Sequence, residues 1–120
     1  MKIAIPVEKQ NLDAQVAQSF GRAPHFLFYN TKSKESYYLD NTAVADSGGA
    51  GIRAAQVVAD HGAEALLTPR CGNNAQEVLS GAEVLIYKSI PGTALENIEA
   101  FIAEKLVLLD EFHSGMHRHG

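Results

Sequence analysis

The chain has 120 residues, 46% hydrophobic and 20% charged, which is enough apolar mass for one packed domain and too little length for a second core. A net charge of -4, with Lys and Arg scattered along the sequence, gives no basic stripe and argues against nucleic acid as a partner. One cysteine excludes an internal disulfide, and the apolar run after Met1-Lys2 is too short for a signal peptide or a membrane span, so no membrane partner is expected and the expected home is the cytoplasm.

Lys2 to Val7 alternates Ile3, Ile5 and Val7 with Ala4 and predicts a buried strand, closed as Pro6 removes a backbone donor. Glu8 to Arg22 reads as a long polar loop. His25 to Asn30 and Ser36 to Asp40 are rich in Phe, Tyr and Leu, and Thr31 to Glu35 joins them as a hairpin connection. Ile52, Ala55, Val58 and Ala59 recur at helical spacing behind a glycine run, predicting a first helix from Ala50 to His61 that Gly62 ends in a left-handed cap. Ala65 to Thr68 is a continuous apolar run stopped by Pro69, as in a strand covered on both faces.

Asn73 with Gln76 three residues on reads as a capping box for a second helix, whose stripe is Ala75, Val78, Leu79 and Ala82 and whose end is Gly81. Val84 to Tyr87 is a further buried strand. Thr93 and Glu96 form the capping box of a third helix, buried through Leu95, Ile98 and Ile102. The order βββαβαβα, with right-handed crossovers between parallel neighbours, predicts a three-layer α/β domain over residues 1–110. Its mixed five-stranded sheet has the order 3-2-1-4-5, with helices on both faces. Residues 111–120 are expected to form a flexible tail containing histidines.

In such a sheet the chain leaves strands one and four toward opposite sides, and a ligand crevice opens between their carboxyl ends. The loops reaching that edge carry Arg22, His25, Gly48, Gly49, Gly51, Cys71 and Asn74. Helix amino termini at Gly51, Asn74 and Ala94 would point the same way and favour an anion. Cys71, beside a helix start and Arg70, is expected to have a lowered pKa and to serve as a thiolate ligand or nucleophile; the alternative is a partly buried small residue. His25 offers a nitrogen to a soft or borderline metal, or is a rim histidine with a satisfied hydrogen bond.

Arg22 either clamps an anion or covers the sheet edge with its stem. Ser47 to Gly51 brings backbone close to a ligand or is a plain turn, and it lacks the Gly-Lys-Ser/Thr ending of a P-loop. His61 reads as a cation at a helix carboxyl end, without a functional role. His113, His117 and His119 are candidate metal ligands, although Gly115 between them argues against one fixed helical face.

Several motifs in order, namely Met1 to Val7, Phe20-Gly21-Arg22-Ala23-Pro24, Gly48-Gly49-Ala50-Gly51-Ile52 with Ala54-Ala55-Gln56, and Gly72 with Asn74-Ala75, resemble the cofactor-carrier family of nitrogenase iron-molybdenum cofactor biosynthesis. This is the NifX and NafY type, also found as a domain of NifB, and the resemblance covers nearly the whole chain. It implies a ribonuclease H-like fold and a small accessory protein that binds or carries an iron-sulfur or molybdenum-containing cluster, with cluster-assembly or acceptor proteins as partners. Where many members have a proline between the glycine and asparagine of the fourth-strand loop, this chain has Asn73, and Cys71 stands at a position the family varies.

Two other classes compete with carriage. One is an anion- or nucleotide-binding regulatory module without a cluster, for which Ser47 to Gly51 makes a weak phosphate loop. The other is an enzyme: a thiol enzyme would need His25 as the base for Cys71, and a two-metal nuclease would need carboxylates that Ile3-Ala4-Ile5 and Leu66-Leu67-Thr68 lack. The expectation is a protein that is not an enzyme.

Overall fold

The computed structural model describes residues 1–110. Along the chain run β1 (Lys2–Val7), β2 (His25–Asn30), β3 (Ser36–Asp40), α1 (Thr42–Ala45), α2 (Ala50–Asp60), β4 (Ala65–Thr68), α3 (Asn73–Gly81), β5 (Leu85–Lys88) and α4 (Ala94–Ile102). The strands form one sheet in the order β3-β2-β1-β4-β5. β2 lies antiparallel to both β1 and β3, whereas β4 runs parallel to β1 and β5. This is the mixed sheet expected from the strand order. The expected tail, with His113, His117 and His119, lies outside the described residues.

Strand alternation divides the core into two layers, because successive side chains leave a strand on opposite faces. Ala4, Phe26, Phe28 and Leu66 pack on one face against Ala54, Ala55 and Val58 of α2 and Ala75 and Leu79 of α3. Ile3, Ile5, Val7, Leu27 and Leu67 pack on the other against Ala94 and Ile98 of α4. Full burial of a Phe, Leu or Ile side chain stabilises the fold by roughly 1.5–3 kcal/mol, so these residues dominate the driving force. Gly62 ends α2 at φ 78°, as expected of a left-handed cap. His61 stacks on Phe28 with ring centroids 4.9 Å apart, and its Nδ1 lies 2.9 Å from the Tyr37 hydroxyl.

The elements depart from the sequence reading in several ways. A short helix, α1, follows β3; the Asp40 carboxylate accepts the Thr42 amide at 2.8 Å and the Thr42 hydroxyl at 2.7 Å, and these bonds hold its carboxyl below the usual range. The segment 8–22 is no plain polar loop, since Ala14, Val16, Ala17 and Phe20 are buried and Val16 donates to Gly92 at 3.3 Å. In α4, Leu95 and Ile102 face outward, and the interior positions belong to Ala94, Asn97 and Ile98. Asn97 replaces apolar packing with bonds: it accepts from the Ile90 amide at 2.8 Å and donates to the carbonyls of Ile90 and Thr93, both at 3.0 Å. The fifth strand begins at Leu85, one residue later than expected. Asn73 lies inside α3, and the N-cap is Gly72.

Candidate functional site

A cleft of about 640 Å³ opens at the carboxyl edge of the sheet, on the face covered by α2 and α3. Its walls are three segments: Gln18 to Arg22, Gly49 to Ile52, and Arg70 to Ala75. Two of these are helix beginnings. Gly49 caps α2 with φ 69°, a left-handed conformation natural to glycine, and Gly72 caps α3 with extended backbone. Glycine has no side chain to turn back onto the first turn, so neither helix has a side-chain cap.

The first helical bonds are donated by Arg53 to Gly49 in α2 and by Gln76 to Gly72 in α3. The amides of Ala50, Gly51 and Ile52, and of Asn73, Asn74 and Ala75, consequently have no acceptor among the described residues. The two starts are also adjacent, since a Cβ built on Gly51 would stand 3.8 Å from the Ala75 Cβ. Each contributes the positive end of a helix dipole.

The third helix start on this edge is different, which corrects the expectation that Ala94 would join the anion site. α4 lies across the sheet, and its first amides are taken: Ala94 and Leu95 donate to the carbonyls of Ala14 and Leu12, each at 2.9 Å, and Glu96 donates to the Thr93 hydroxyl at 3.1 Å. The capping box expected from Thr93 and Glu96 is present. It closes the helix.

The sequence-derived site residues separate into groups. Arg22, Gly49, Gly51, Cys71 and Asn74 all line the cleft, and Gly48 adjoins it just before Gly49. His25 does not line it. Alternation puts His25 on the Leu27 side of β2, across the sheet from the Phe26 layer that holds Cys71, and its Nδ1 lies 3.3 Å from Gln10 Nε2. A shared His25 and Cys71 ligand set, or a catalytic pair of the two, is therefore not what the fold assembles. No cluster of three or more His, Cys, Asp or Glu side chains that would hold a metal ion occurs among the described residues.

Cys71 also reverses its expected chemistry. The thiol is 2% exposed within the core layer and donates to the Gly72 carbonyl at 3.6 Å. Burial pushes its pKa up from 9.0 to about 11. A helix dipole lowers a thiol pKa when the sulfur faces the first-turn amides, and here the side chain turns inward, where desolvation of the thiolate outweighs it.

Two further residues build the wall. Gly21 packs so closely on the start of α2 that a Cβ there would come within 2.7 Å of the Gly51 nitrogen and 2.8 Å of its Cα. Asn41, 2% exposed, donates from Nδ2 to the carbonyls of Ala23 at 2.8 Å and Gly21 at 3.3 Å. No periodicity or spacing signals Asn41; a buried asparagine just after a strand is visible only in three dimensions. The glycine N-caps are legible in principle as two helix starts lacking Ser, Thr or Asp, in contrast with Thr93.

The sequence matches the family described as dinitrogenase iron-molybdenum cofactor over residues 1–104. Its fold is similar to the apo form of the orange protein from Desulfovibrio gigas, at TM-score 0.86 and 32% identity over 90% of this chain and 92% of that one. It is similar as well to a Thermotoga protein proposed to be a NifB protein, at TM-score 0.83 and 34% identity over 99% of this chain and 98% of that one. An uncharacterised protein of Methanocaldococcus jannaschii is 28% identical over 109 residues, 88% of this chain and 89% of the relative. No helix among the described residues is long and apolar enough to cross a membrane. With a match that spans most of its length, the chain belongs to the dinitrogenase iron-molybdenum cofactor family.

Proposed function

We propose that this chain is an accessory protein, not an enzyme, that binds a preassembled, anionic iron-sulfur or molybdenum-containing cluster in the cleft between the starts of α2 and α3 and hands it to a partner in metallocofactor assembly. The observation that carries this reading is the pair of adjacent uncapped helix starts. Their amides suit sulfide or oxide ligands that already carry negative charge, and Arg22 on the rim adds a cation.

The donor chemistry fits such a cargo better than a bare metal ion. Hydrogen-bond donors surround the cleft, whereas the described residues hold no three-ligand cluster of His, Cys, Asp or Glu. The cluster would bring its own inner ligands, and the protein would supply amides, Arg22 and a shaped wall. The membership of the chain in a cofactor family and the apo form named for the orange protein agree with a carried ligand.

Purification without oxygen, with analysis of iron, molybdenum and sulfide and a visible spectrum, tests the reading. A coloured protein with stoichiometric metal and sulfide is the expected result. A colourless protein that binds phosphate or a nucleotide at the same cleft would replace carriage with the regulatory module. Cys71→Ala is expected to keep its cluster; loss of loading in that variant would make the thiol a ligand and remove the amide-led account.

A further inference from the structure

Asn41 occupies a place in the hydrogen-bonding pattern that packing alone does not require. Its side chain donates to the carbonyls of Gly21 and Ala23, the two residues flanking Arg22, and its own amide donates to Pro24 at 2.8 Å. Its carbonyl accepts the Ala45 amide at 2.8 Å, and the Ala45 carbonyl accepts from Arg22 Nη1 at 2.9 Å. One residue thus holds Arg22 at both ends: the backbone at its root through the Asn41 side-chain Nδ2, and the guanidinium at its tip through the Asn41 carbonyl and α1. The loop of bonds is closed.

Arg22 is exposed and lines the cleft, so without this ring its long side chain would sample many rotamers and lose entropy on meeting an anion. A guanidinium has five N–H donors, and the bond to Ala45 uses one group while leaving the others for a ligand. A side chain fixed before binding loses less freedom on binding.

We infer that Asn41 is a positioning residue: it presets Arg22 on the rim of the cleft and thereby sets the affinity for an anionic cargo. The inference deepens the carrier reading and rests on it for the identity of the ligand. It assigns no direct contact to Asn41.

The test is a titration of the anaerobic protein with tetrathiomolybdate, a small molybdenum-sulfur anion, followed by visible absorbance. The chain is compared with Arg22→Ala, Asn41→Ala and the double variant, with Asn41→Ser in reserve should the alanine variant not fold. Each single change is expected to raise Kd about tenfold, the size of one charge-assisted hydrogen bond, and the double variant to be no weaker than Arg22→Ala. A merely structural role for Asn41 would not make its effect vanish once Arg22 is gone.

Independent, multiplying losses would overturn the inference, as would Asn41→Ala binding like the unaltered chain. If Arg22→Ala alone binds normally, the inference fails while carriage survives. If the unaltered chain binds no tetrathiomolybdate, the carrier reading loses support, and the positioning role is decided by the nitrogen-15 heteronuclear NOE of the Arg22 Nε–H. A high value that collapses in Asn41→Ala supports the role, and equal values in the two proteins sink it.

Discussion

Two helix beginnings on the same edge of the sheet have opposite fates. At α4, a threonine cap, a glutamate reaching back, and the carbonyls of Ala14 and Leu12 consume the first-turn donors. At α2 and α3, glycine caps leave those donors without protein acceptors among the described residues. The difference does not lie in the helices themselves. It lies in what residue stands at the cap and in the path of the segment 8–22, which covers the α4 start on one face and walls the cleft with Gln18 to Arg22 on the other. A strong capping signal therefore marks the helix end whose first donors the fold consumes, and a weak one marks the ends whose donors it leaves open.

Substitutions at the closed and the open helix starts test this contrast. The largest effect is expected from Gly21→Val, whose side chain would collide with backbone at the start of α2; urea unfolding should show a loss of about 3 kcal/mol, together with loss of anion binding. Asn97→Ala, at the closed helix, strips the Ile90 amide of a buried partner and should cost about 2 kcal/mol in the same measurement. It should leave tetrathiomolybdate affinity unchanged, and a shared loss would mean that the two regions are coupled.

Smaller changes probe the caps directly. Thr93→Ala should lower stability by about 1 kcal/mol, again without an effect on binding. Gly72→Asp places a capping carboxylate on backbone already extended at φ -76° and ψ 160°. It should stabilise the fold by about 0.5 kcal/mol while weakening anion binding, since the new side chain occupies the amides and repels the ligand. A stabilised variant with undiminished affinity would show that the α3 amides are not used.

Cys71 has the smallest effect at neutral pH, where its thiol is protonated in folded and unfolded chains alike. Its folded pKa is raised, so the stability it contributes is fully present below 9.0 and is lost as pH rises toward about 11. Unfolding measured at pH 8 and at pH 10.5 should show a fall in stability that is shallower in Cys71→Ala. An identical fall in both proteins would place the sulfur in contact with water.

The sheet order was legible because each strand carried its own signal, alternating in β1 and continuously apolar in β4, and because crossover handedness leaves few arrangements. α1 was not legible: four residues with no buried side chain carry no periodicity. The inward turn of Cys71 was equally hidden, because chain position fixes which loop a residue joins but not which way its side chain faces. For His25 the alternation along β2 already held the answer, since Phe26 and Phe28 share one face and His25 must share the other with Leu27. Asn41 and Asn97 were hidden for a common reason: composition marks asparagine as a turn residue, whereas here each is a buried tie, Asn41 to the distant carbonyls of Gly21 and Ala23 and Asn97 to the turn at Ile90 just before its own helix.

The closeness of Gly51 to Ala75 sets two like electrostatic poles side by side. Empty, that arrangement works against the fold; filled by an anion, the same field becomes attraction. The loaded protein should therefore melt at a higher temperature than the empty one, with the gap shrinking as salt screens the poles. For a carrier, such a bias sets the terms of delivery: an acceptor must hold the cargo strongly enough to offset the stability the carrier loses on release, so a full carrier keeps its load until a better site is presented.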